Sequence, residues 1–75
     1  MHAYVLIGLL EREEQQVLDE LLSYKEIIDA HILFGEWDII AKIEGKTSED
    51  VGTFIMEKIR SLQNVKITST LIVAK

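Results

Sequence analysis

The sequence predicts an α+β domain of element order β-α-β-β-α-β, with a four-stranded antiparallel sheet and both helices on one face. Three observations carry this. Four stretches rich in β-branched residues, His2–Leu10, Glu26–Phe34, Trp37–Glu44 and Val65–Ala74, read as strands. Glu13–Ser23 and Ser48–Leu62 instead space their apolar residues as one buried helical stripe. A shift of 38 positions aligns Val17 with Ile55, Leu21 with Ile59, Ser23 with Ser61, Ile27 with Val65 and Leu33 with Leu71, so two β-α-β halves are visible. Right-handed crossovers in each half make the first and third strands central.

Each element has its own justification. The first strand is apolar on both alternating sets, Ala3/Val5/Ile7/Leu9 and Tyr4/Leu6/Leu10, as expected of a strand covered on two faces. The first helix buries Val17, Leu18, Leu21 and Leu22; its leading acids suit the positive end of the helix dipole, but no Ser, Thr or Asp caps it. In the second strand Ile28/Ala30/Ile32/Phe34 form the core set and Ile27/Asp29/His31/Leu33 the mixed one. The third turns Trp37/Ile39/Ala41/Ile43 toward the helices and Asp38/Ile40/Lys42/Glu44 away, and Gly45 ends it. Thr47 caps the second helix with Asp50 in the reciprocal position, Val51, Phe54, Ile55, Ile59 and Leu62 are buried, and Gly52 is expected to allow close approach to the sheet. The last strand alternates Val65/Ile67/Ser69/Leu71/Val73 with Lys66/Thr68/Thr70/Ile72/Ala74.

Composition narrows the function classes. Residues 1–75 make one small domain, 48% apolar, whose thin core makes reinforcement by self-association the expectation. There is no cysteine, which excludes disulfides, thiolate catalysis and zinc ribbons and fits a cytoplasmic protein. With 13 acidic and 8 basic side chains, a net charge of −5 and no Lys/Arg cluster, the chain would be repelled by a phosphate backbone, so no direct nucleic-acid binding is expected. The apolar start ends at Glu11-Arg12-Glu13-Glu14, far short of a bilayer span and without a positive leader; it reads as a strand, not a signal or membrane segment. Neither a metal site nor a cofactor motif is recognisable.

The centre of the chain is the hairpin Phe34-Gly35-Glu36-Trp37-Asp38. Gly35 can take positive φ, Glu36 faces water, and backbone N–H groups near the tip lack ladder partners. Such donors can hold a carboxylate while Asp38 attracts an ammonium group, so the same few atoms could read both ends of an amino acid. On local evidence alone the stronger reading is that the stretch is only a hairpin. His31, beside Asp29 on the mixed strand face, is a surface or interface residue unless the site reaches it. Thr68 and Thr70 are placed with Asp38, Ile40 and Lys42 on the bare sheet face; their hydroxyls are available, although threonine also serves strands by propensity alone. That bare face predicts a dimer packed sheet against sheet.

The fold so derived is ferredoxin-like. Gly35-Glu36-Trp37-Asp38 with Ile39–Ile43, Phe54-Ile55 in the second helix and Val65–Val73 together resemble the hairpin, second helix and Thr-bearing last strand of the Lrp/AsnC effector (RAM) domain, over essentially the whole chain. No motif among them is specific alone; their joint spacing is. The resemblance implies a regulator of amino-acid metabolism, not an enzyme, with a dimeric α/β barrel type of assembly. Its dimers join into octamer or decamer rings, and a small amino-acid effector binds where dimers meet. It further implies that Gly35, Glu36, Trp37 and Asp38 lie at the effector site, joined by Thr68 and Thr70. The helix-turn-helix that normally precedes this domain is missing, so the sequence resembles a stand-alone form that could join full-length Lrp/AsnC regulators. Two other readings stay open. A small dimeric α+β barrel enzyme, monooxygenase- or isomerase-like, would have to use His31, Asp29 and Asp38 as acid-base groups. An ACT-type regulatory domain would pair strands edge to edge.

Overall fold

A computed structural model describes residues 1–75. The order is β1 (His2–Leu9), α1 (Glu14–Leu22), β2 (Ile27–Ile32), β3 (Ile39–Glu44), α2 (Ser48–Phe54), which runs on into a π-helical turn (Ile55–Ile59), and β4 (Val65–Ile72). The sheet runs β2-β3-β1-β4 with every neighbour antiparallel, so the first and third strands are central. The helices meet one face, where Ala3, Val5, Ile7, Ile39, Ala41 and Ile43 are wholly buried with Val17, Leu21, Val51, Phe54, Ile55 and Ile59. Removing each large apolar side chain from water contributes about 1.5–3 kcal/mol against the entropy of ordering the chain. Tyr24, after α1, meets Phe54 of α2 edge to face at 5.7 Å and ties the two helices together within their layer.

The repeat has structural counterparts. Ser23 and Ser61 each turn a hydroxyl back onto the preceding helix, at Glu20 O (2.6 Å) and Glu57 O (2.8 Å). Glu26 and Asn64, just before β2 and β4, each accept at the backbone carbonyl from the end of the central neighbour, Glu44 N and Leu10 N. Asn64 adds a side-chain clamp on Glu11, accepting from its N–H (2.7 Å) and donating to its carbonyl (3.0 Å). At α2, Thr47 Oγ1 accepts the Asp50 N–H at 3.1 Å, the local cap that the sequence predicts.

Expectations about several side chains, and about one glycine, need correction. The pairing of β2 with β3 shifts between Ile27 and Asp29, leaving Ile28 as an extra residue. Ile27 and Ala30 therefore face the core, while Ile28 is 45% exposed and Phe34, beyond the strand, is fully exposed. Leu22 also lies outside the core at 50% exposure, because α1 buries only the Val17/Leu21 edge of its stripe. Trp37 precedes β3, which starts at Ile39, and its ring lies over Gly8, with Cε3 3.9 Å from where a Gly8 Cβ would stand. Gly8 belongs to the bare face, so Trp37 is on that side and not under the helices. Thr68 and Thr70 pair with the buried Ile7 and Val5, which places them on the helix face, opposite to the expectation. Gly52 is exposed with no atom near a virtual Cβ, so it permits no close approach.

Candidate functional site

The hairpin between β2 and β3 is closed by one residue. Asp38 O accepts the Leu33 N–H at 2.8 Å, its own N–H donates to Ile7 O at 3.0 Å, and its carboxylate Oδ2 accepts the Leu9 N–H at 2.7 Å. Between Leu33 and Asp38, Gly35 has φ of +130°, a region that a side-chain-bearing residue rarely adopts. The N–H groups of Phe34, Gly35, Glu36 and Trp37 donate to no acceptor within the chain. Glu36 is exposed at the tip beside the fully exposed Phe34 ring. The tip thus combines free donors, one free carboxylate and one bare aromatic.

The remaining expected residues sit apart from it. His31 lies on the bare face of edge strand β2, opposite Ile40, with Nε2 3.9 Å from Asp29 Oδ1; both side chains are more than half exposed, where such a pair contributes little. Thr68 and Thr70 are on the other edge strand and on the helix face, so a single copy does not bring them to the tip. None of His31, Asp29 and Asp38 lines either of the two concavities described below, and Asp38 already spends an oxygen on Leu9 rather than on an acid-base partner. No three His, Asp or Glu side chains gather closely enough for a metal ion. No helix is long and apolar enough to cross a membrane.

Two open concavities lie elsewhere. One runs between Leu10–Val17 and Ser61–Asn64, the other beside Gly45, Phe54 and Lys58, and neither includes a tip residue. The bare sheet face carries Tyr4, Leu6 and Ile40, half-buried, with Ile67 and Leu71 exposed on β4. Lys42 Nζ stands 5.8 Å over the Tyr4 ring, its charge held against the quadrupole. Sequence reasoning missed two participants. Gly8 makes room for Trp37 and Ile67, and a glycine inside an otherwise apolar strand was the available signal. Leu9 takes part only through its N–H, for which a side-chain pattern has no signal.

This architecture, a four-stranded antiparallel sheet half covered by two helices and carrying an exposed hairpin, defines the class as a ferredoxin-like α+β domain. The chain belongs to the Lrp/AsnC family: the sequence model of the Lrp/AsnC ligand binding domain matches residues 2–75. Among curated relatives, the uncharacterized HTH-type transcriptional regulator PF0250 of Pyrococcus furiosus is 33% identical over 76 residues, covering 93% of this chain and 49% of the relative. The chain thus spans about half the length of the curated regulators it matches. Among solved structures, FFRP-DM1 is 36% identical with a TM-score of 0.91, and the match covers 96% of both chains. The transcriptional regulator NMB0573 of Neisseria meningitidis, solved as a complex with L-Met, has a TM-score of 0.86 at 14% identity, covering 99% of this chain and 49% of that one. At that identity the likeness concerns the fold.

Proposed function

We propose that this chain is an amino-acid-sensing and oligomerisation module that binds its effector at seams between copies. The observation that carries the reading is the tip itself: successive N–H groups at Phe34–Trp37 without a partner in the chain, around a positive-φ glycine, on a hairpin that lines neither of the two concavities described above. Such a run of donors suits a carboxylate. Glu36 supplies a free carboxylate for the ammonium group, and Phe34 and Trp37 supply apolar surface for a side chain. The L-Met complex of a protein with the same fold supports the ligand class.

Enclosure then comes from assembly. Bare faces with Tyr4, Leu6 and Ile40 at their centre pack against one another in a dimer, and dimers join as octamer or decamer rings that bring hairpins of one dimer against edges of the next. Thr68, Thr70 and His31 reach a ligand only across such a seam. An effector that fits one ring geometry better shifts the population toward it. The same surfaces would admit full-length Lrp/AsnC regulators, through which the module would act on transcription.

Thermal-shift and calorimetric titration of the twenty amino acids tests the sensing step. At a hundredfold excess over Kd a native-state ligand stabilises by about 2.7 kcal/mol, which is readily seen in a domain this size. Saturable binding by one or a few amino acids is expected, weakened by Glu36→Gln. No response from any of the twenty would remove the sensing role and leave only assembly.

A further inference from the structure

We propose that Asp38 is a positioning residue that clamps the recognition hairpin onto β1 through the Leu9 amide, and that it does not itself touch the ligand. That the hairpin recognises anything rests on the reading above; the clamp stands on geometry alone. Asp38 is the one residue of the turn bonded to both neighbouring strands, at Leu33 N on the β2 side and at Ile7 O and Leu9 N on β1. Leu9 sits where the register of β1 against β4 shifts, and β3 has no strand residue left to offer it a carbonyl. Its amide would go unpaired in a partly buried site, a costly arrangement. The carboxylate takes that donor at 2.7 Å, the short end of charge-assisted N–H···O bonds.

The consequence reaches the tip. With Asp38 fixed at both backbone and side chain, Trp37 is laid over Gly8, and the four preceding residues, Phe34 to Trp37, have a fixed base. Asp38 thereby sets the direction in which the Phe34–Trp37 donors point. An acceptor at that atom is what the clamp requires; a negative charge is secondary. This separates Asp38 from a group that pairs with an ammonium ion, where charge is the requirement.

Hydrogen exchange by NMR on the full chain, together with fluorescence of Trp37, the sole tryptophan, reads the clamp directly. In Asp38→Ala the Leu9 amide should exchange about tenfold faster or more, while Val5 and Ile7 keep their protection, because only a local bond is lost. The Trp37 emission should shift red as the ring leaves Gly8. Asp38→Asn, which keeps an acceptor, should hold Leu9 exchange and any amino-acid affinity from the twenty-member panel within about threefold of the native chain. Asp38→Glu, which keeps the charge but moves the acceptor, should resemble Asp38→Ala and serves if the latter fails to fold. Unchanged Leu9 protection in Asp38→Ala or Asp38→Glu would overturn the clamp. So would an Asp38→Asn chain that keeps Leu9 protection yet loses ligand affinity, since the charge would then be what matters. If no amino acid binds even the native chain, the sensing reading fails and the exchange and fluorescence results still decide the clamp.

Discussion

A methyl group added at Gly45 would meet a Val51 methyl at 2.9 Å, and Val51 is only 1% exposed, so it has little room to retreat. One added at Gly52 would meet nothing within 4 Å, in the middle of an exposed helix face. The two substitutions should therefore move stability in opposite directions. Gly45→Ala is expected to cost about 1–3 kcal/mol by overpacking, and Gly52→Ala to add about 0.5–1 kcal/mol by removing a poor helix former. Urea denaturation of both variants checks this, and equal signs would show that the contact at Gly45 relaxes freely. At this scale the sequence was a mixed guide. It pointed to Gly35, where φ is +130°, because a turn of so few residues needs such freedom locally. It misjudged Gly52 and passed over Gly8, because what lies over a glycine is decided by segments distant in the chain, here Ile67 and Trp37.

Elements were legible to the extent that their causes are local. The Thr47 cap, the soft start of α1 and the stripes Val17/Leu21 and Val51/Phe54/Ile55/Ile59 follow from nearest-neighbour chemistry, and all appear in the structure. The π-helical turn at Ile55–Ile59, closed by the Arg60 N–H on Ile55 O, has no such signature; its wider turn leaves Lys58 in water and Ile59 wholly buried. Strand phase was legible in β1 and β3 and in β2 from Asp29 onward, and failed only at the start of β2, because one extra residue at Ile28 exchanges the faces of Ile27 and Ile28. The expected consequence is asymmetric. Ile27→Ala should destabilise by about 2–4 kcal/mol and Ile28→Ala by less than about 1 kcal/mol, since only the former opens a cavity. The reverse order in chemical denaturation would restore the uninterrupted alternation. Thr47→Ala should cost about 1 kcal/mol through its lost acceptor for Asp50.

The whole molecule leaves a sheet face with Tyr4, Leu6, Ile40, Ile67 and Leu71 outside its own core, and puts its most exposed aromatic, Phe34, on a hairpin tip. In the proposed assembly both are covered by other copies. A charge in the middle of that face would have to be desolvated on association but stays hydrated in a single copy. Leu6→Asp should accordingly shift the chain to monomer in sizing experiments while far-UV circular dichroism keeps its native shape. The bareness of this face was legible from the first strand, apolar on both sides in a chain with only enough helix for one layer. The content of the site was less so: the placement of Thr68 and Thr70 depends on which residues of β4 pair with Val5 and Ile7 of β1, distant in the chain, and the commitment of Asp38 to Leu9 depends on where β3 begins. Native mass spectrometry of the purified chain, with and without each amino acid that gives a thermal shift, addresses the seam most directly. An even-numbered assembly whose ring distribution changes with bound amino acid is the expected result; a single copy at micromolar concentration that binds its amino acid with unchanged mass order would contradict a site built between copies.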